Sequence, residues 1–311
     1  MRALVKDIFF VSRVFGAYYE IYSQETGPVR AVLRGKLRLG DKTEKHPIVV
    51  GDLVRVEKGL ENYSILERLE RKTILFRKSG EEQAQALCAN AEQVLILASL
   101  KDPETKTGFV DRCLTAVSIS GMKPIIVFTK RDLVSSEFAE EKMQFYSELG
   151  YSTDSVSLED SNSIERIQKQ ISGKVSFLCG NSGVGKSSLL NALAGFAVQS
   201  TKAISQSTSK GKHTTTNSFA IFLQNETVLI DSPGIKEFGI LHLTKEEIQD
   251  AFPEIRKLKE ACTNKFCCDE SKNCPIQWNE SIREERWKSY VSELESFNQS
   301  FRTSRRDHLK R

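Results

Sequence analysis

No stretch of this chain is apolar for long enough to cross a membrane: the most apolar segment, 94–100, falls far short of the roughly 20 residues a spanning helix needs. Lys6 and Asp7 break the apolar N-terminal stretch, so no signal-peptide core forms there, and the chain reads as cytoplasmic. A large excess of one charge is also lacking. Lys and Arg number 45 against 41 Asp and Glu, a net +4, which excludes a histone-like polycation and leaves room for local basic patches. There is no internal repeat. With 39% hydrophobic and 28% charged residues the balance is globular, excluding collagen, coiled coil and wholesale disorder. Seven cysteines are an odd number, and Cys262, Cys267, Cys268 and Cys274 crowd together, which suits a metal site in a reducing compartment better than a disulfide framework.

What is present divides into parts, as about 150 residues per domain would suggest for 311. Segments 8–11, 17–22, 29–33 and 49–56 are rich in β-branched and aromatic residues and are punctuated by Gly16, Gly27-Pro28, Gly40-Asp41 and Gly51-Asp52. They predict a small five-stranded Greek-key barrel of the OB type, an RNA-binding fold, over 1–75, which strand count alone does not separate from an SH3-like barrel. Arg34, Lys36 and Arg38 alternate, so an extended strand would put them on one face, either as a solvated edge or as a groove for a phosphate backbone. From 78 to 240, strand patterns at 94–98, 124–128, 153–156, 175–179, 219–223 and 228–230 alternate with helical ones at 109–119, 138–149 and 164–171, which predicts a doubly wound α/β domain. Residues 241–311 carry only helical patterns, at 245–252 and 281–297, around the cysteine cluster, and end in a basic tail expected to be flexible.

The chemistry is concentrated in the α/β part. Gly180, Asn181, Ser182, Gly183, Val184, Gly185, Lys186 and Ser187, with Ser188 following, form a P-loop between an apolar strand and a helix. Its glycines let backbone N–H groups surround phosphates, Lys186 reaches the β and γ phosphates, and Ser187 offers its hydroxyl to Mg²⁺. Asp231 and Gly234 form an Asp-x-x-Gly string at the end of the 228–230 strand, placed for a magnesium-linked carboxylate and a γ-phosphate contact. Between these lies 205–218, a stretch without apolar residues in which Thr214, Thr215 or Thr216, with Thr215 preferred, can complete the Mg²⁺ shell.

Thr129, Lys130, Arg131 and Asp132 end another strand and resemble the guanine-specifying Asn-Lys-x-Asp motif, whose Asp accepts from both guanine donors that adenine lacks. Thr129 stands where that motif has Asn, which predicts a weakened strut to the P-loop and modest nucleotide affinity. Ser155-Val156-Ser157 falls where a base-backing loop is expected.

The guanine motif precedes the P-loop, the reverse of the ordinary order, so the domain is circularly permuted. A barrel, a permuted GTPase domain and a C-terminal cysteine module in this order, with His213-Thr214-Thr215-Thr216 and the string from Asp231 to Gly239, resemble the RsgA (YjeQ) family along essentially the whole chain. That resemblance implies a GTP hydrolase converting GTP to GDP and phosphate. It also implies a partner, the small ribosomal subunit with its rRNA, which the enzyme serves late in assembly as a monomer off the membrane. It further implies one Zn²⁺ per chain on Cys262, Cys267 and Cys274, with Cys268 or Asp269 at the position where the family has His. Ile235 occupies the place of the water-orienting glutamine of many GTPases, so unaided hydrolysis should be slow. The family points to His213 as the substitute, set in place when the ribosome orders that loop. A P-loop ATPase and a nucleotide-gated RNA-binding module are the alternatives.

Overall fold

The computed structural model describes residues 8–34, 48–60, 62–79, 83–195, 218–232, 240, 243–261, 276 and 280–308. Five strands, β1 (Ile8–Phe15), β2 (Tyr18–Ser23), β3 (Gly27–Leu33), β4 (Leu53–Lys58) and β5 (Tyr63–Arg68), make the N-terminal barrel. They run in the order β1-β2-β3-β5-β4, with β3 and β5 parallel and β4 returning to pair with β1. Alternate residues point inward, and Val11, Ile21, Ala31, Val54 and Ile65 are completely buried.

The strand expected at 49–56 begins only at Leu53. Residues 48–52 turn instead, because Asp52 accepts a bond from Val49 N at 2.8 Å and Gly51 has φ +94°. A Cβ on Gly51 would stand 1.9 Å from the Ala89 carbonyl oxygen. Asp52 also holds Arg71 Nε at 2.7 Å, with its own side chain fully buried. The strand β5 and a following hairpin, β6 (Ile74–Ser79) with β7 (Gln83–Ala89), were not anticipated from the sequence. Leu75 and Cys88 of that hairpin are buried in the core of the next unit.

That unit is a six-stranded sheet of β8 (Gln93–Ser99), β9 (Lys123–Thr129), β10 (Ser152–Val156), β11 (Val175–Gly180), β12 (Phe219–Phe222) and β13 (Val228–Asp231), ordered β10-β9-β8-β11-β13-β12. All neighbours are parallel except β12, which runs antiparallel to β13. Both faces are covered, so every residue of β8 is buried. On one face Val94, Ile96 and Ala98 meet α1 (Thr107–Ser118) and α2 (Ser136–Glu148); on the other Leu95 and Leu97 meet α3 (Ser161–Ile171) and α4 (Lys186–Ala194). The edge strand β12 pairs onward with β1 at Phe219 and Arg13, so barrel and α/β sheet are hydrogen-bonded into one. The Phe222 ring stacks on Tyr22 at 3.7 Å across this junction and meets Phe10 edge-on.

The helix expected over 245–252 is α5 (Lys245–Ala251); Pro253 cannot continue it and instead opens a further helix, α6 (Pro253–Glu260), that was not anticipated from the sequence. Thr244 and Glu247 form a reciprocal capping box at the start of α5. The last helix, α7 (Glu284–His308), runs well past the expected 297, so the basic end is helical to His308 rather than a flexible tail.

Candidate nucleotide-binding site

Parallel sheets open a crevice beyond the C-terminal ends of their strands where the winding direction reverses, and the chemistry gathers there. Strand β11 ends at Gly180, where any Cβ would press within 2.8 Å of Val184 Cγ1 and 3.1 Å of the Leu97 carbonyl. Gly183 and Gly185 take φ of +79° and +92°, turning the loop tightly enough for α4 to start at Lys186. Val184, 2% exposed, anchors the loop to the core, while Ser182, Ser187 and Ser188 face outward and Asn181 is half-buried. The free N–H groups of this helix start and the left-handed glycines form an anion cradle.

Strand β13 delivers Asp231 to the same place. Lys186 Nζ is ion-paired with Asp231 Oδ1 and donates to the Ser232 carbonyl at 2.7 Å. The P-loop lysine and the switch aspartate, 45 residues apart, are thus in direct contact. Ser187 and Asp231 offer only hard oxygen donors, the set Mg²⁺ prefers.

Strand β9 ends at Thr129, which is 4% exposed and whose Oγ1 donates to the Val184 carbonyl at 2.6 Å. The expectation of a weakened strut is therefore corrected: threonine, though shorter than asparagine, spans the gap and ties guanine motif to P-loop. Lys130 takes φ +58°, and its ammonium group donates to the Asp102 carbonyl. Arg131 opens a 3₁₀ turn over Arg131–Leu133 and reaches Ser136 Oγ at 2.8 Å, holding the loop to α2, while Asp132 stands exposed on the turn. In the adjacent strand Val156 pairs with Thr129, so the Ser157 loop leaves the sheet beside the start of the Thr129–Asp132 segment. That loop is fixed by Ser163, whose Oγ donates to the Ser157 carbonyl at 2.9 Å and accepts from Ser157 N at 3.2 Å.

Sequence reasoning missed the loop after β8. Ser99 N and Ser99 O both bond Thr105, at 2.8 Å each, closing a loop in which Asp102 adopts φ +46° and Pro103 Cδ comes within 3.4 Å of the Cβ position of Gly183. The Asp-Pro dipeptide was its only signal. Arg34 is exposed and ion-paired with Glu57 at 2.9 Å on the barrel surface. Lys36, Arg38, His213, Thr215, Gly234, Ile235, Cys262, Cys267, Cys268, Asp269 and Cys274 lie outside the described residues.

Comparison with known proteins agrees with this geometry. The RsgA GTPase family model matches residues 68–241. A small ribosomal subunit biogenesis GTPase RsgA of Flavobacterium johnsoniae is 32% identical over 301 residues, covering 93% of each chain. Its namesake in Flavobacterium psychrophilum is 33% identical over 302 residues, covering 93% of this chain and 92% of that one. Among solved structures, YjeQ from Thermotoga maritima superposes with a TM-score of 0.69 at 26% identity, over 94% of this chain and 98% of that one. YloQ, a circularly permuted GTPase, shares the fold with a TM-score of 0.68 at 23% identity, over 94% and 95%.

Proposed function

The chain belongs to the RsgA GTPase family, and from that premise we propose that it hydrolyses GTP to GDP and phosphate as a biogenesis factor of the small ribosomal subunit. The observation that carries this reading is the convergence of P-loop, Asp231 and guanine motif, joined by the Lys186–Asp231 pair and the Thr129–Val184 strut, at one end of the sheet. Asp132 selects guanine by accepting from its N1–H and 2-amino group, with Lys130, Arg131 and the Ser157 loop shaping that pocket. The backbone from Gly180 to Ser188 cradles the phosphates. Lys186 exchanges Asp231 for the β and γ phosphates when GTP enters; Asp231, with Ser187 and Thr215, would then hold Mg²⁺, and Gly234 would contact the γ-phosphate. Mg²⁺, when bound with GTP, neutralises charge that builds on the phosphate oxygens.

His213 then orients the attacking water once the partner sets its loop, since Ile235 can neither donate nor accept. Arg34, Lys36 and Arg38 meet rRNA phosphates; Arg34 would exchange Glu57 for them. Cys262, Cys267 and Cys274, with Cys268 or else Asp269 as the fourth ligand, would hold one Zn²⁺, a reading supported by the thiol donor set. The protein works as a cytoplasmic monomer, and no helix among the described residues is long and apolar enough to cross a membrane.

The deciding experiment compares GTP hydrolysis alone, with small subunits and with large subunits, at low and moderate salt. Small subunits should raise the rate well above the intrinsic one, added salt should weaken that effect, and His213→Ala should lose it while still binding GTP. Equal rates in all three mixtures would remove the ribosome from this account, and preference for ATP would replace the GTPase by an ATPase.

A further inference from the structure

The helix α7 docks on α1, and the interface is charged inside although it is buried. Arg286, 2% exposed, donates from Nη1 to Asp111 Oδ1 at 2.6 Å and from Nε and Nη2 to the Glu254 carboxylate at 2.7 and 3.2 Å. Asp111 is fully buried and accepts a further bond from Tyr146 Oη at 3.1 Å. Arg286 is thereby committed to two carboxylates. Glu293, nearly two α7 turns beyond it, is 1% exposed, and neither of its carboxyl oxygens makes a hydrogen bond of good geometry, although the Thr115 hydroxyl beside it favours the charged form.

The groups facing Glu293 do not compensate a negative charge there. From α1 it is faced by Asp111, Arg112, Cys113 and Thr115, and from its own helix by Arg286. Glu254 of α6 and Tyr146 of α2 reach it only through Arg286 and Asp111. Burial pushes the Glu293 carboxyl up to about 7 from an ordinary 4.5, Asp111 adds to the rise, and Thr115, Arg112 and Arg286 pull the other way without winning. An ionised carboxylate with no partner is among the costliest things to bury, whereas the neutral acid is tolerated.

We propose that Glu293 is a proton-operated latch: α7 docks on the GTPase unit with this carboxyl group neutral, and loss of its proton loosens the dock. Nothing in this depends on which nucleotide is hydrolysed. The sign follows from the geometry. Docking holds a proton that the undocked helix releases at its ordinary value, so the stabilisation is fully present below about pH 4.5 and is lost as pH rises through about 7. Between pH 6 and pH 8 the docking constant should fall by about tenfold.

The test is amide exchange of the full chain over residues 284–293, corrected for the intrinsic pH dependence of exchange, at pH 6 and pH 8. Protection in the natural protein should drop by about tenfold, while Glu293→Gln, and separately Glu293→Leu, should be equally protected at both values and better protected than the natural protein at pH 8. A natural protein protected equally at both pH values would overturn the latch. So would a Glu293→Gln protein that loses protection in parallel with it, or one that docks more weakly at pH 8.

Discussion

A single hydroxyl joins the two halves of the nucleotide pocket. The Thr129 Oγ1 bond crosses 55 residues of sequence to reach the Val184 carbonyl, which itself lies in the P-loop. Removing it in Thr129→Val keeps the shape and leaves a buried carbonyl unpaired, a loss of about 1–3 kcal/mol. GTP affinity should fall by about tenfold or more, and a fluorescence titration that finds the affinity unchanged would show the strut to be idle. Asp132→Ala should instead erase most of the preference for GTP over ATP with the fold intact, and Lys186→Ala should abolish detectable hydrolysis; competition binding and phosphate release read the two. At this scale the P-loop was legible because its residues are contiguous. The strut and the latch were not, because Thr129 with Val184, and Asp111 with Glu293, meet only after the chain has folded.

The same limit shows at the level of elements. Strands β8, β9 and β11 announce themselves as continuous apolar runs because both of their faces are covered. The strand β5 has one fully buried residue, Ile65, among polar and half-buried ones, so its period is too faint to read. The apolar residues Ile48, Val49 and Val50 look like the start of a strand, yet they are buried in a turn that Asp52 and Gly51 organise. That turn makes Gly51→Ala a sharp test. The left-handed φ costs about 1–3 kcal/mol for a side chain, and a methyl group forced against the Ala89 carbonyl adds about as much again. Urea unfolding should show a loss of at least about 2 kcal/mol, whereas a neutral result would mean that the barrel-to-hairpin contact yields easily. The end of α5 before Pro253, by contrast, was readable from that residue type.

At the scale of the whole molecule, the order of the parts was legible from the reversed sequence of the two nucleotide motifs, while their attachments were not. One attachment is Arg286, which links α7 to α1 and α6. Arg286→Met strips the buried Asp111 and the partly buried Glu254 carboxylates of their cation and should cost about 3–5 kcal/mol, seen as a lowered melting temperature. The purified protein should also carry about one Zn²⁺ per chain, lost in Cys274→Ser with loosening of the C-terminal helices. Elemental analysis finding no zinc in protein prepared without chelators would retire that site.

The other attachment is the pairing of β1 with β12. An outermost strand exposes a row of unsatisfied peptide groups that can recruit a second molecule, and here the barrel itself shields that side of the α/β sheet, with Tyr22 stacked on Phe222 and Phe10 set edge-on to it. The barrel therefore acts as a built-in solubility guard. Shortened to begin at residue 69, the protein should scatter light and self-associate at concentrations where the full chain stays clear, and adding back a lone barrel should reverse this only if the β1 register is restored.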